Sequence, residues 1–429
     1  MSNTWKIRKL ADVTTKIGSG ATPRGGKEAY HNSGIPLIRS QNILDFSFSH
    51  TGLAFINETQ ADLLKNVTIE SEDVLLNITG DSVARCCMVD SKIVPARVNQ
   101  HVAIIRIDKT QANPYFIKYF LLSPSQKSLM LSLAGTGATR NALTKGMIEN
   151  FDIPLPPLEE QEAIAEILSS LDDKIELNNQ MNKTLEQTAQ AIFKHWFVDF
   201  EFSDENGSPY KSSGGKMQDS ELGPIPANWR VGTLGEVVET ISETFPLKSV
   251  SQVIFLNTGD IKEGEFLHAN WSSTDSLPGQ AKKSIHKGDI LFSEIRPKNR
   301  RYAYVDFDAS DYVVSTKLMV LRAKNGYPNL FTYFFLQQQE SIDYLQLMAE
   351  SRSGTFPQIT FDVLSKMRII LPSTIIHKIF IDKILTSTYE GIASNCLQNK
   401  NISALRDTLL LKLMSGELRV PGLKQQMGA

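Results

Sequence analysis

The chain is written twice, and that limits what it can fold into more than any other feature. Trp5-Lys-Ile-Arg-Lys-Leu-Ala-Asp-Val returns as Trp229-Arg-Val-Gly-Thr-Leu-Gly-Glu-Val, and Asp73-Val-Leu-Leu-Asn-Ile returns as Asp289-Ile-Leu-Phe-Ser-Glu-Ile. His101-Val-Ala-Ile-Ile-Arg matches Lys317-Leu-Met-Val-Leu-Arg, Tyr119-Phe120 matches Tyr333-Phe334, and Leu143-Thr144 matches Ile359-Thr360. The order is kept, and the offset between matched positions is nearly constant at half the length of the chain. That period is too long for a solenoid, so the repeat is a duplicated domain.

Within each copy, short β-branched runs alternate with Gly, Pro and Asn punctuation and with one or two helical stretches, which predicts an α+β domain. At 429 residues the chain has room for two or three domains. The expected division is a first domain over 1–156, a long helix over 157–202, a linker over 203–223, a second domain over 224–372, a second long helix over 373–418 and a tail over 419–429. The linker reading rests on the Ser, Gly, Pro and charge content of the segment.

Each copy runs into a Pro followed by a long helical pattern. In the first helix a seam runs Ile164, Leu168, Leu171, Ile175, Asn178, Asn182, Leu185, Ala189, Ile192, Trp196, spaced four and three alternately as in a heptad. Adding 217 gives Ile381, Leu385, Thr388, Ile392, Asn395, Asn399, Ile402, Arg406, Leu409, Leu413, with both asparagines recurring. Each helix is then roughly 60 Å long at ~1.5 Å per residue. The duplicated asparagines predict an antiparallel coiled coil, with Asn178 opposite Asn399 and Asn182 opposite Asn395 about a pseudo-twofold near Gln180. Two similar domains would then sit at the ends of a rigid spacer.

Net charge is −2, but unevenly distributed. Residues 1–156 carry 17 basic and 13 acidic groups, 157–206 carry 3 and 12, 207–372 carry 18 of each, and 373–429 carry 7 and 4. The first helix holds the negative excess, so whole-chain charge says little about what either domain binds. Three cysteines (Cys86, Cys87, Cys396), two of them adjacent, form no disulfide framework and favour a reducing cytoplasm. No signal peptide and no membrane span are expected.

Catalytic motifs fail on inspection. Gly20–Lys27 lacks the first glycine of a phosphate loop, and Glu28 stands where a Ser or Thr would hold magnesium. Asn113-Pro-Tyr-Phe is not preceded by a strand and a glycine-rich cofactor turn. Asp260-Ile-Lys262 has no identifiable partner acids, and the seven histidines have no metal-ligand spacing. No metal site and no catalytic group are expected.

Several motifs stand out along the chain, at Gly18-Ser-Gly-Ala-Thr-Pro, Gly34-Ile-Pro-Leu-Ile-Arg, Ile153-Pro-Leu-Pro-Pro-Leu-Glu-Glu-Gln161, Trp196-Phe-Val-Asp-Phe200, Gly223-Pro-Ile-Pro-Ala-Asn-Trp229 and Leu413-Met-Ser-Gly-Glu-Leu418. By these marks the chain resembles the specificity subunits of type I restriction-modification enzymes over nearly its whole length. The second copy departs at Leu371-Pro-Ser-Thr-Ile-Ile-His377, which lacks the second Pro and the Glu-Gln. The resemblance implies that each copy is a target-recognition domain reading one half of a split target in double-stranded DNA. It implies helices that set the gap and dock two adenine-methyltransferase subunits, with ATP-dependent restriction subunits joining them. S-adenosylmethionine, ATP and magnesium would belong to those partners in a prokaryotic cytoplasm, with no cofactor of the chain's own.

Readers of base edges and phosphates use Arg, Lys, Asn and Gln. The candidates in copy one are Thr22, Arg24, Lys27, Arg39, Gln41, Asn42, Arg85, Arg97, Arg140 and Asn141. In copy two they are Arg296, Lys298, Arg300, Arg301, Lys317, Arg352 and Gln358, the run Arg296-Pro-Lys-Asn-Arg-Arg301 standing where copy one has Gly80–Arg85. The alternative function is a tandem-domain scaffold that bridges proteins through its coiled coil.

Overall fold

The structure, a computed structural model, describes residues 5–135, 142–203, 207–324, 326–352, 354–372, 376, 379, 380 and 384–420, with Gly26 and Lys27 described in backbone only. The chain divides into two compact units. Unit one comprises Met1–Asn178 and Leu397–Ala429, and unit two comprises Asn179–Cys396. The division falls within both long helices, so each unit contains part of each.

In unit one the central sheet is fully antiparallel, in the order Thr14–Ser19, Val102–Ile107, Val74–Asn77, Cys86–Met88. Unit two repeats the order with Val238–Ile241, Leu318–Ala323, Ile290–Ser293 and Tyr302–Tyr304. Each unit adds a second, mixed sheet with one parallel pair, Ile35–Ile38 beside Arg97–Val98 and Gln252–Leu256 beside Tyr312–Ser315. Each copy is closed by pairing its first strand with its last, Lys6–Lys9 with Asp152–Leu155 and Arg230–Thr233 with Arg368–Leu371. The duplicated sequence therefore folds as a duplicated α+β topology.

Central strands such as Val74–Asn77 and Ile290–Ser293 are buried at every position, as expected for strands covered on both faces. In unit one the helix Pro114–Leu122 covers the sheet, and Phe116, Ile117 and Tyr119 are fully buried together with Ile164 and Leu168 of the first long helix and Leu410 and Leu413 of the second. In unit two Phe193 and Phe197 of the first long helix enter an aromatic core. Phe193 lies 5.5 Å from Phe331, 5.8 Å from Phe334 and 6.0 Å from Phe380.

The first long helix spans Leu158–Phe197. Its Pro-Pro-Leu-Glu-Glu-Gln entry has a physical basis. Buried Gln161 donates to the Pro156 carbonyl and accepts from the Asn113 amide, both at 2.9 Å, while Glu160 takes two bonds from Arg419 at 2.6 and 2.7 Å. The second long helix is described over Thr386–Met414. Residues 373–375, 377, 378 and 381–383, including Ile381 of the seam, lie outside the described residues.

None of the described seam residues is exposed. Asn178, fully buried, donates to Asn399 Oδ1 and to Gln398 Oε1 at 2.8 Å, within unit one. Within unit two Asn395 donates to Asn182 Oδ1 at 2.8 Å. These are the two asparagine pairings expected from the heptad spacing.

The segment expected to be a linker is packed where it is described. Phe202 stacks between Tyr210 and Trp229, with centroids 4.6 and 5.0 Å away, and Met217–Gln218 pairs with Ile225–Pro226. Its polar composition hid the aromatic residues that anchor it.

Candidate nucleic-acid interface

In both units the same hairpin loop leaves the central sheet through two left-handed backbone positions. In unit one they are Gly80 (φ 76°) and Ala84 (φ 69°), and the matching positions of the repeat in unit two are Arg296 (φ 47°) and Arg300 (φ 52°). A left-handed conformation at a non-glycine residue costs on the order of 1 kcal/mol or more and persists only where its surroundings impose it. Here they do. Ser293 N–H donates to the Arg301 carbonyl at 2.8 Å, Arg296 N–H to the Pro357 carbonyl at 3.1 Å, and Glu263 N–H to the Arg300 carbonyl at 2.9 Å. In unit one Asn77 N–H donates to the Arg85 carbonyl at 2.8 Å, and Thr79 bridges to Ala142 where unit two bridges Ile295 to Gln358.

The cations of the unit-two loop divide by what they touch. Arg301 is a latch, its Nη1 donating to the Gly259 and Ile261 carbonyls at 2.9 Å each. Arg300 donates to the Gln339 side chain. Arg296 and Lys298 are exposed. The Arg296 guanidinium reaches the Thr355 carbonyl at only 3.5 Å, and Lys298 Nζ stands 3.7 Å from Glu350 while its amide is held by Gln346 at 3.1 Å. Lys317 lies beside the loop, 3.4 Å from Gln358 and 3.6 Å from Glu294. Six of the seven unit-two candidates are thus gathered at one place. Arg352, at the end of Gln339–Arg352, donates to Thr360 at 3.1 Å.

Unit one presents a different surface at the corresponding place. Arg85 is exposed beside the loop. Thr22 donates to Gln100, Gln100 meets His101 at 3.0 Å, and His101 Nδ1 meets Thr79 Oγ1 at 2.5 Å. Of this network only Thr22 was singled out in the sequence. The signal for His101 was available, because it aligns with Lys317 in the repeat. Arg39 and Gln41 both donate to the Gly52 carbonyl, at 2.7 and 3.0 Å, and the Arg39 guanidinium lies 5.4 Å from the Tyr30 ring centroid. Arg24 is exposed. Arg140, Asn141 and the side chain of Lys27 lie outside the described residues.

Two candidates are corrected. Asn42 is fully buried, donating to the Ser49 and Thr51 carbonyls at 2.9 and 3.3 Å. Arg97 is buried and donates to the Ala61 and Ala96 carbonyls at 3.0 and 3.1 Å. Both meet the need of buried main-chain carbonyls for donors and cannot reach a ligand.

The arrangement suits an anionic, flat-faced polymer: exposed cations on a braced loop for phosphates, with amide and imidazole groups for base edges. Among the described residues no cluster of His, Cys, Asp and Glu could hold a metal ion, and no helix is long and apolar enough to cross a membrane.

Comparison with known proteins agrees with this geometry. The family model for the type I restriction modification DNA specificity domain matches residues 2–187 and again 226–402. The type I restriction enzyme HindI specificity subunit of Haemophilus influenzae is 41% identical over 184 residues, covering 43% of this chain and 40% of that protein. The MjaIX specificity subunit of Methanocaldococcus jannaschii is 23% identical over 98% of this chain and 94% of its own length. The crystal structure of the type I restriction-modification S subunit from M. genitalium shares the fold, with a TM-score of 0.51 and 16% identity over 96% of this chain and 97% of that one. With both of its copies matched by the family model, the chain belongs to the type I restriction-modification DNA specificity family.

Proposed function

We propose that this chain is the sequence-reading subunit of a type I restriction-modification complex, each copy reading one half of a bipartite target in double-stranded DNA and neither supplying a catalytic group. The observation that carries this reading is the braced loop that recurs at the same place in both copies with different side chains on it. One scaffold bearing two sets of polar groups is what a split, asymmetric target requires.

The two long helices set the gap between the halves as an antiparallel coiled coil and dock two adenine-methyltransferase subunits, to which ATP-dependent restriction subunits add. The asparagine pairings support that arrangement, since a buried Asn pair fixes register and orientation at some cost in stability. S-adenosylmethionine, ATP and magnesium belong to the partner subunits, and the complex works in a prokaryotic cytoplasm.

The test is co-expression with the neighbouring methyltransferase gene, followed by mapping of methylated adenines across a genome. Two short defined sequences around a fixed unspecified gap support the reading. Removing one heptad from each helix shortens the spacer by about 10 Å and the gap by roughly three base pairs. No methylation from an intact complex supplied with its methyl donor overturns the reading in favour of the protein scaffold.

A further inference from the structure

Phe356 is 64% exposed, the most exposed Phe, Tyr or Trp among the described residues. An exposed apolar side chain is ordinary on a protein surface. This one is distinguished by its mounting. The carbonyl before it, Thr355, accepts from the Arg296 guanidinium at 3.5 Å, and the carbonyl after it, Pro357, accepts from the Arg296 amide at 3.1 Å. Gln358 then bridges to Ile295, and Ile359 N–H donates to the Glu294 carbonyl at 2.9 Å. Pro357 is buried, and its ring fixes φ directly after the phenylalanine. The exposed ring is thus stapled from both sides to the loop that presents Arg296 and Lys298, with exposed Arg352 four residues before it.

An exposed apolar ring on a braced main chain among cations has a specific counterpart in duplex DNA. Apolar side chains that enter between base pairs partly unstack a step, while nearby cations hold the flanking phosphates. A protein partner would match the ring but has no general reason to match the cations around it. We propose that Phe356 is a wedge that enters the stack at one base step of the second half-site, with Arg296 and Lys298 on the adjoining phosphates. The proposal rests on the sequence-reading function and adds a specificity-determining residue in the segment 354–358, where the sequence offered only Gln358 as a candidate.

The experiment uses the full chain co-purified with its methyltransferase and duplexes carrying 2-aminopurine at successive positions of the mapped second half-site. Wild type raises the fluorescence at one step as that step unstacks. Phe356→Ala abolishes the rise and weakens binding roughly tenfold or more, the scale of a lost base–aromatic contact. Its salt dependence stays that of wild type, because no phosphate contact is removed. Phe356→Leu, which keeps an apolar wedge, retains part of the rise. Thermal unfolding of both variants matches wild type, since an exposed ring contributes little to the core. The wedge is overturned if Phe356→Ala binds and unstacks the duplex as wild type does. A wild-type complex that binds no duplex at all overturns the sequence-reading function itself, and the wedge with it.

Discussion

Arg106 grips Asp73 with two parallel hydrogen bonds, Nε to Oδ1 at 2.8 Å and Nη2 to Oδ2 at 2.7 Å. The grip recurs at the matching positions of the second copy, where Arg322 holds Asp289 at 2.7 and 2.8 Å. Each aspartate also accepts the amide three residues before it, Glu70 at 2.7 Å and His286 at 2.8 Å, and each is 1% exposed. The pair therefore ties a strand of the central sheet to the turn that leads into its neighbour. Replacing a buried carboxylate strands its partner's charge and costs about 3–5 kcal/mol where that partner cannot reach water. Arg106 is partly exposed, so Asp73→Ala is expected to lower stability by about 3 kcal/mol in denaturant titration. A loss below about 1 kcal/mol would mean that the bidentate geometry contributes no more than a surface ion pair.

That pairing marks where sequence reading stops. Asp73 and Arg106 both lie in runs that the repeat picks out, yet nothing local says that residues 33 apart meet across adjacent strands. Register is set by the whole sheet. The asparagine seam was legible because heptad spacing is a local signal and the second copy repeats it. Asn42 and Arg97 were misread because a polar residue that serves buried carbonyls looks, in composition, like one that faces solvent. The loop Arg296–Arg301 was legible by its charge density. Its left-handed positions were not, and neither, in unit one, were the bonds that tie Thr22 to Thr79 through Gln100 and His101, since each depends on long-range contacts; only the alignment of His101 with Lys317 pointed to that position.

The seam asparagines give a two-step outcome. Asn178→Leu leaves the Asn399 and Gln398 side chains without the donor they share and is expected to cost about 1–3 kcal/mol. Adding Asn399→Leu should recover that loss or exceed wild type, because apolar residues pack a seam more favourably than a polar pair. The gain comes at the expense of register, read as heterogeneity in the gap of the methylated motif. A double variant less stable than the single would show that the pair is held by more than its mutual bond.

Burial holds the Glu186 carboxyl above its ordinary value, and Tyr333 Oη donates to it at 3.2 Å. A raised carboxyl favours the protonated form in the folded state. Its stabilising contribution is complete below the unfolded pKa and is lost as pH rises through the folded one. Glu186→Gln mimics the protonated form and removes that loss. The variant should therefore be more stable than wild type at pH 7 and indistinguishable from it at pH 4. Equal stability at both values would show that Glu186 titrates as it does in the unfolded chain.

The loop cations separate by salt dependence. Arg296→Ala and Lys298→Ala are each expected to reduce the slope of log K against log salt by about 1, nearly independent of target sequence. Arg301→Ala should instead lower stability by about 1–3 kcal/mol, since two carbonyls lose their charged donor. Fluorescence anisotropy across a salt series and a melting curve together tell the two roles apart. A slope unchanged by Arg296→Ala and Lys298→Ala would remove both from the DNA contact.

Within unit one the two ends of the described chain meet: the Arg419 guanidinium lies 5.3 Å from the Trp5 ring centroid and is paired with Glu160. A link that joins the segment before Trp5 to the segment after Arg419 therefore has a short span to bridge. New ends belong where few contacts are lost, and exposed Glu221 and Leu222, in the turn closed by Ser220 and Gly223, provide such a place. A permutant opened between them is expected to fold and to melt within about 2–4 °C of wild type, the shift that follows from losing about 1 kcal/mol in units of this size. Opening instead between Tyr210 and Lys216 breaks a segment anchored by the Phe202–Tyr210–Trp229 stack, and should cost several times more. Equal melting temperatures for the two permutants would mean that the stack does not anchor the connection, and failure of both to fold would mean that the segments at Trp5 and Arg419 do not lie close enough to be joined.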